Sequence, residues 1–183
     1  MEQILSKTRS WPLARHIGAL AFAILIGLGA SWKVPLPFTP VPITGQTLFV
    51  LLGASVLTRF YSLEMIGFYL LFGVLGAPFF ASHGSGVSHL FGPTGGYLLG
   101  FVLASALLGF GLSRMKGLWN QLLLFLVASY AIFIPGVIGL KFSLGVGWHE
   151  ALVMGYFPFL IGDLVKIALA FTAYSGISRL SPE

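Results

Sequence analysis

Charged residues divide this chain into long uncharged runs, and the lengths of those runs predict helices that cross a membrane. Seventeen uncharged residues separate Arg15 from Lys33, and 49 uncharged residues fill positions 65–113. A single helix of that second length would extend about 74 Å at 1.5 Å per residue, more than twice the thickness of a bilayer core. The chain must therefore turn inside the run, and Pro78 and Pro93 mark where it does.

Six helices account for the whole pattern. Four prolines between positions 35 and 42 exclude a helix at the start of the second span. The predicted spans cover residues 14–32, 44–58, 62–79, 94–113, 118–139 and 150–174. The expected fold is all-α, with one polytopic membrane domain over residues 1–183 built as a bundle of six transmembrane helices.

The composition places the protein in the membrane class. Apolar residues make up 57% of the chain and charged residues 8%, against about 45–50% and about 25% in ordinary soluble domains. A soluble fold cannot cover itself with so few charges, so we expect a multi-pass protein of the cell (plasma or inner) membrane, surrounded by the lipid bilayer. Cysteine is absent, which excludes disulfides and thiolate metal sites.

The distribution of basic residues predicts the orientation of the bundle. Seven basic residues fall on one side of the six spans: Lys7, Arg9, Arg15, Arg59, Arg114, Lys116 and Arg179. Lys33 and Lys141 fall on the other side. Because short cytoplasmic loops carry an excess of Lys and Arg, both termini are predicted to be cytoplasmic, and the net charge of +5 requires no nucleic-acid partner. The first span is expected to remain a helix rather than to be removed as a signal peptide.

Two charged residues in the last span call for a functional explanation. Asp163 and Lys166 are the only charged residues between positions 151 and 178, and each costs about 2.5–3.5 kcal/mol at the centre of a membrane helix. Three residues apart, they lie on one helical face and can interact. They form either a structural ion pair or a polar ligand site, in which the carboxylate would accept N–H groups and the ammonium would donate to oxygen atoms.

The segment just before these charges is predicted to be kinked. Pro158 removes one helical N–H donor and frees a carbonyl of the preceding turn. Its neighbours Tyr156, Phe157 and Phe159 face lipid, pack within the bundle or line a cavity, and the sequence leaves all three roles open.

Two loop segments also stand out. The proline segment, residues 35–42, is expected to be extended and to lie either over a cavity or as a stiff connector, and Gln46 follows with an amide that both donates and accepts. Gly95 and Gly96 open the fourth span, where the lack of side chains permits close approach of a partner helix or a ligand. No lysine completes a phosphate-binding loop there, so we do not expect the chain to hydrolyse ATP.

Small residues recur every four positions on the first span, at Ala19, Ala23 and Gly27. Such a stripe serves either contact within the bundle or docking of another membrane subunit.

His83 and His89 lie in one loop but match no metal-binding or hydrolytic motif. We therefore expect no catalytic residues, no metal, no cofactor and no enzymatic activity.

Taken together, these motifs resemble the BioY family, the biotin-specific substrate-binding subunits (S components) of energy-coupling factor (ECF) transporters. The resemblance extends from about residue 34 to residue 166 in family order. It rests on the proline segment running into 46–48, on 73–81 (GVLGAPFFA), on 92–97 (GPTGGY), and on Gly162 and Asp163 with Lys166.

The resemblance implies a function and a set of partners. A six-helix bundle would capture biotin outside the cell and deliver it inward, coupled to a transmembrane subunit and two cytoplasmic ATPases. The residues that the resemblance places at the ligand are Asp163, Lys166, Tyr97, Gln46 and Phe38, and those that it places at the subunit interface are Ala19 and Ala23. An S component for another vitamin, a small intramembrane enzyme or a structural subunit are the alternatives, and a homo-oligomer stays open.

Overall fold

The expectation of an all-α bundle is confirmed by the computed structural model, which describes residues 11–57 and 59–180. Its helices are α1 (Trp11–Gly29), α2 (Gln46–Leu57), α3 (Arg59–Val74), α4 (Gly95–Gly111), α5 (Leu118–Leu144), α6 (Trp148–Gly155) and α7 (Leu160–Leu180). The basic residues Lys7 and Arg9 and the predicted end of the second span at Thr58 lie outside the described residues.

The sixth span is broken rather than merely kinked. Helix α6 ends at Gly155, a single 3₁₀ turn follows at Phe157–Phe159, and α7 begins at Leu160. Pro158 lies inside that turn, where its missing N–H and its ring prevent a continuous α-helix. The break places the start of α7, which carries Asp163, beside the other helices of the bundle.

Four span ends differ from the predictions by three residues or more, and the last of them is the sixth span, which continues to Leu180 rather than to residue 174. Helix α1 ends at Gly29, three residues before the predicted end, because a strand begins at Lys33. Helix α3 ends at Val74 rather than at residue 79, since Gly76 has a positive φ of 109° and Pro78 follows it. Helix α5 continues to Leu144, beyond the predicted 139, because the long stem of Lys141 allows its ammonium to reach the membrane surface.

Two irregular segments close one end of the bundle. Strands β1 (Lys33–Val34) and β2 (Ile43–Thr44) pair antiparallel, with Lys33 opposite Thr44. The proline segment forms the connection between them, and prolines lack the N–H groups that a longer ladder would need. The loop between α3 and α4 contains 3₁₀ turns at Ala81–His83 and Val87–Phe91 and lies at the same end.

Helices α4 and α5 touch through their backbones. A Cβ on Gly96 would collide with the carbonyl oxygen of Pro135, and a Cβ on Gly100 would lie 2.5 Å from the carbonyl oxygen of Ile132. Gly139 of α5 faces Gly96 in turn, and a Cβ added to Gly139 would lie 3.0 Å from the Gly96 Cα. Of the two roles predicted for the glycines at the start of the fourth span, Gly96 therefore serves close helix packing.

The helices have the apolar character of membrane spans. Among the described residues, three helical stretches are long and apolar enough to cross a bilayer, Gly95–Arg114, Leu118–Leu144 and Trp148–Arg179, and two shorter apolar helices cover Leu13–Gly29 and Gln46–Leu57. Helix α3 carries Glu64, which pairs with His16 of α1 at 2.7 Å. This pair lies near the start of α1, as expected for a charge at the membrane surface.

The small-residue stripe of α1 faces the inside of the bundle. Ala19 and Ala23 are completely buried within the chain, in the core where α1 packs against α2 and α3. The exposed face of α1 carries larger residues instead, including Ile17 and Ile24. The two alanines therefore serve contact within the bundle. A subunit interface at Ala19 and Ala23 stays a prediction.

Replacing Gly96 by alanine should destabilise the bundle. The added methyl group has no space beside the Pro135 carbonyl, and overpacking of this kind costs about 1–3 kcal/mol. The measurement is the thermal midpoint of unfolding in detergent. Gly67→Ala is the matched control, because nothing lies within 4 Å of a Cβ at Gly67. Equal midpoints for the two variants would contradict the close helix contact.

Candidate functional site

A cavity opens at the end of the bundle where the β-hairpin and the α3–α4 loop lie. It encloses about 550 Å³ of empty space, mouth included, and is lined by Val41, Pro42, Thr44, Gln46, Thr47, Ala81, Thr94, Tyr97, Leu98, Phe101, Ile132, Phe133, Phe159, Asp163 and Lys166. Four of the five predicted ligand-binding residues are therefore brought together. The fifth, Phe38, lies outside this lining, and half of its surface is exposed.

Asp163 and Lys166 form the polar centre of the cavity. Asp163 is buried, with 1% of its surface exposed. Its Oδ2 accepts a hydrogen bond from the Ser129 hydroxyl of α5, while its Oδ1 has no hydrogen-bond partner among the described residues. The Lys166 Nζ lies 3.9 Å from that Oδ1 and donates to the Thr47 hydroxyl of α2 at 2.8 Å. The cavity thus presents one unused carboxylate oxygen beside an ammonium that donates to Thr47 and has capacity for a further acceptor.

Sequence reasoning missed Ser129 and Thr47. Ser129 is 34 positions from Asp163, and Thr47 is 119 positions from Lys166. Only the packing of α2 and α5 against α7 brings each hydroxyl to its charged partner. The one sequence signal was that a charge inside a membrane requires a polar partner on a neighbouring helix, and many hydroxyl residues of this chain satisfy that condition.

The amide of Gln46 is already committed to the fold. Its Nε2 donates to the Tyr69 hydroxyl at 2.8 Å and to the Phe79 carbonyl at 3.1 Å, and its Oε1 accepts from Thr44 at 3.3 Å. Both amide donors are therefore occupied. Gln46 lines the cavity, but its amide mainly links α2 to α3 and to the loop that follows α3.

The hydroxyl of Tyr97 is also used internally. It donates to the Gly155 carbonyl at 2.7 Å, which lies at the end of α6, just before the break at Pro158. A Cβ at Gly155 would lie only 2.5 Å from that hydroxyl, so the bond depends on the glycine. The ring of Tyr97, rather than its hydroxyl donor, is therefore the part left to line the cavity.

Aromatic rings supply the apolar walls of the cavity. Phe133 of α5 contacts Tyr97 and Phe159, with ring centroids 6.2 and 6.1 Å apart. The three aromatic residues around Pro158 have separate positions: Phe159 lines the cavity, Phe157 is half exposed, and Tyr156 packs against the outer side of Phe133. The three positions correspond to the three roles that the sequence left open.

The mouth of the cavity is bounded by the two irregular segments. Val41 and Pro42 belong to the proline segment and line the cavity. In the α3–α4 loop, His89 stacks on Phe80 at a centroid distance of 5.2 Å and hydrogen-bonds Thr94 at 2.9 Å. Partial burial lowers the pKa of His89 below its ordinary value. No cluster of His, Asp or Glu suited to a metal ion occurs within residues 11–57 and 59–180.

The arrangement has the fold of a vitamin-transporter subunit. The chain superposes on the crystal structure of the S-component for biotin from an ECF-type ABC transporter with a TM-score of 0.83, covering 93% of each chain at 20% identity. This likeness establishes the S-component fold, and with the apolar helices it identifies a multi-pass integral membrane protein.

Sequence relatives define the family. The model of the BioY family matches residues 3–183. A probable biotin transporter BioY of Pyrococcus horikoshii is 34% identical, over 86% of this chain and 92% of that protein. The biotin transporter BioY of Thermotoga maritima is also 34% identical, over 91% and 97% of the two chains. The chain belongs to the BioY family.

Removing the Ser129 hydroxyl should destabilise the folded protein. Ser129→Ala leaves the buried Asp163 Oδ2 without its donor, and an unsatisfied buried polar group costs about 1–3 kcal/mol. Ser105→Ala is the matched control, since the Ser105 hydroxyl is equally buried but has no partner in the described residues. Thermal unfolding in detergent compares the two, and an equal loss in both variants would contradict the assigned bond.

Acid should loosen the mouth of the cavity through His89. Because the folded-state pKa of His89 lies below its ordinary value, His89 favours folding at neutral pH, and this contribution is lost as the pH falls from about 6.5 through the folded pKa. His89→Phe should therefore show a smaller decrease in thermal midpoint than wild type between pH 7 and pH 5. The exposed His149→Phe is the control and should follow the wild type.

Proposed function

We propose that this chain is the biotin-binding membrane subunit of a vitamin uptake system, a transporter component rather than an enzyme. The observation that carries the proposal is the unpartnered Oδ1 of Asp163, buried in the cavity beside Lys166. A buried carboxylate oxygen without a donor is costly, and a ligand with an N–H group removes that cost. The names of the relatives as biotin transporters support the choice of ligand.

The polar groups of biotin match the unused hydrogen-bonding capacity of Asp163 and Lys166. The only N–H donors of biotin belong to its ureido ring, so we assign one of them to the Asp163 Oδ1. The ureido carbonyl is adjacent to that N–H and is assigned to the Lys166 ammonium, whose Nζ lies 3.9 Å from the same Oδ1. The apolar bicyclic ring would then pack against the rings of Tyr97, Phe133 and Phe159.

The tail of biotin would extend towards the mouth of the cavity, where water hydrates its carboxylate. The proline segment and the α3–α4 loop would close over it and exclude water from the charged pair, which strengthens those contacts. Because Phe38 lies outside the lining, its predicted contact with the ligand requires the proline segment to move inward.

The proposed direction of transport follows from charge. Arg15, Arg59, Arg114, Lys116 and Arg179 flank the ends of the helices opposite the cavity, whereas Lys33 and Lys141 lie at the cavity end. The positive-inside rule then places both termini in the cytoplasm and the cavity mouth outside. We assign the energy for uptake to a separate transmembrane subunit with two ATPases, while function alone or as a homo-oligomer is the competing arrangement.

Biotin titrated into the purified protein in detergent should bind one to one, as measured by calorimetry. Removing one partner of a buried charged pair typically costs 2–5 kcal/mol, so Asp163→Asn and Lys166→Met should each weaken binding about 30-fold or more. Ser105→Ala, which removes a buried hydroxyl away from the cavity lining, should bind normally. Near-normal affinity in Asp163→Asn would contradict the site, and no binding by folded wild type would exclude biotin.

Biotin amide distinguishes the two ends of the ligand. If Lys166 contacts the ureido carbonyl, Lys166→Met should weaken the binding of biotin and of its neutral amide by the same factor. A loss confined to biotin would instead place the carboxylate on Lys166 and reverse the assigned orientation.

A further inference from the structure

A second concave surface lies on the outside of the bundle, between α5 and α6. This α5–α6 groove has a volume of about 1130 Å³, open side included, and is lined by Val127, Tyr130, Ala131, Phe133, Ile134, Val137, Ile138, Trp148, Leu152 and Tyr156. Phe133 and Val137 form its floor and are each 6% exposed. Its sides are exposed residues, Ile134 and Ile138 from α5 facing Trp148 from α6.

The length of the groove matches one leaflet of a bilayer. From Val127 to Ile138, α5 rises about 16 Å at 1.5 Å per residue, which is about half of the 30 Å hydrocarbon core. The residues on this stretch belong to a helix that is long and apolar enough to cross a membrane. A continuous apolar depression of this length, open towards lipid, fits a single acyl chain.

A cation lies at one end of the groove. Lys141 follows Ile134 and Ile138 by seven and three positions along α5, so it continues the same face one turn further. Its Nζ lies 5.1 Å from the ring centroid of Trp148, which also lines the groove, and 4.9 Å from that of Phe142. Lys141 forms no ion pair with a carboxylate in the described residues. Aromatic residues beside a lysine are typical of the headgroup level of a membrane.

We propose that the α5–α6 groove binds one phospholipid of the surrounding membrane, with an acyl chain along the apolar floor and the phosphate on the Lys141 ammonium. The apolar lining, the single-leaflet length and the cation at the headgroup end together require an occupant with an apolar tail and an anionic head. The site does not depend on the identity of the transported molecule.

The groove and the ligand cavity share a wall. Phe133 lines both, and Tyr156 covers its outer side with ring centroids 5.3 Å apart. A lipid chain in the groove would therefore lie against the back of one of the rings that face the ligand.

Native mass spectrometry of the delipidated protein, titrated with phosphatidylglycerol in detergent, tests the proposal. Wild type should retain one lipid at least about tenfold more tightly than any further lipid. Lys141→Gln removes the headgroup contact and Ala131→Phe fills the groove, and each should reduce that preference about tenfold. The controls are Lys116→Gln and the exposed Ala173→Phe, which should retain the lipid as wild type does. Ile138→Trp, at an exposed position, replaces Ala131→Phe if that variant does not fold.

Several outcomes would overturn the proposal. Equal retention by wild type, Lys141→Gln and the groove-filling variant would place the lipid elsewhere. Loss in Ala131→Phe with full retention in Lys141→Gln would leave only an acyl chain or detergent tail and remove the phosphate contact. A dimer that disappears in Ala131→Phe would assign the groove to a second copy of this chain.

Discussion

Two opposite charges held inside a membrane-spanning bundle are the constraint on which the arrangement of its helices depends. Neither charge can be left without partners where water is excluded. Ser129 of α5 donates to Asp163, and Thr47 of α2 accepts from Lys166, so the pair on α7 joins two further helices through one hydroxyl each. Among the described residues, one of the two carboxylate oxygens, Oδ1, has no hydrogen-bond partner, and Asp163 lines the cavity. The same two side chains therefore hold neighbouring helices together and, in the proposed function, contact the ligand.

Two further polar side chains of the cavity lining, Gln46 and Tyr97, pair backbone carbonyls in irregular segments or at helix ends. Gln46 donates to the carbonyl of Phe79, directly after Pro78, and Tyr97 donates to the carbonyl of Gly155, three residues before Pro158. Both carbonyls lie where the helical hydrogen-bonding pattern stops, so a side chain rather than a later helical N–H pairs each of them. Because these side chains are occupied within the fold, the proposed contacts to the polar groups of a ligand are assigned to Asp163 and Lys166.

Local features of the sequence predicted the local features of the structure. Charge spacing and proline positions were enough for six spans, for the irregularity at Pro158 and for the proximity of Asp163 to Lys166, since each depends on neighbours within one or two helical turns. Ser129 and Thr47 were not predictable, because their roles arise from crossings between distant helices. The burial of Ala19 and Ala23 was open for a related reason: a stripe of small residues has the same spacing whether it faces its own bundle or another chain.

The two sides of the cavity are packed differently, because α4 and α5 contact each other directly through their backbones. At Gly96 and Gly100 the two helices are so close that no side chain lies between their backbones. The same two helices carry five residues of the cavity lining: Tyr97, Leu98, Phe101, Ile132 and Phe133. In that half the lining is held by direct backbone packing, which leaves little space for its side chains to rearrange. The opposite half is built from the short β-hairpin, the α3–α4 loop and helix α7, which begins after the interruption of the helix at Pro158. Under the proposed function, the half that is packed through its backbone would select a ligand by shape, and the half with the hairpin and the loop would admit and release it.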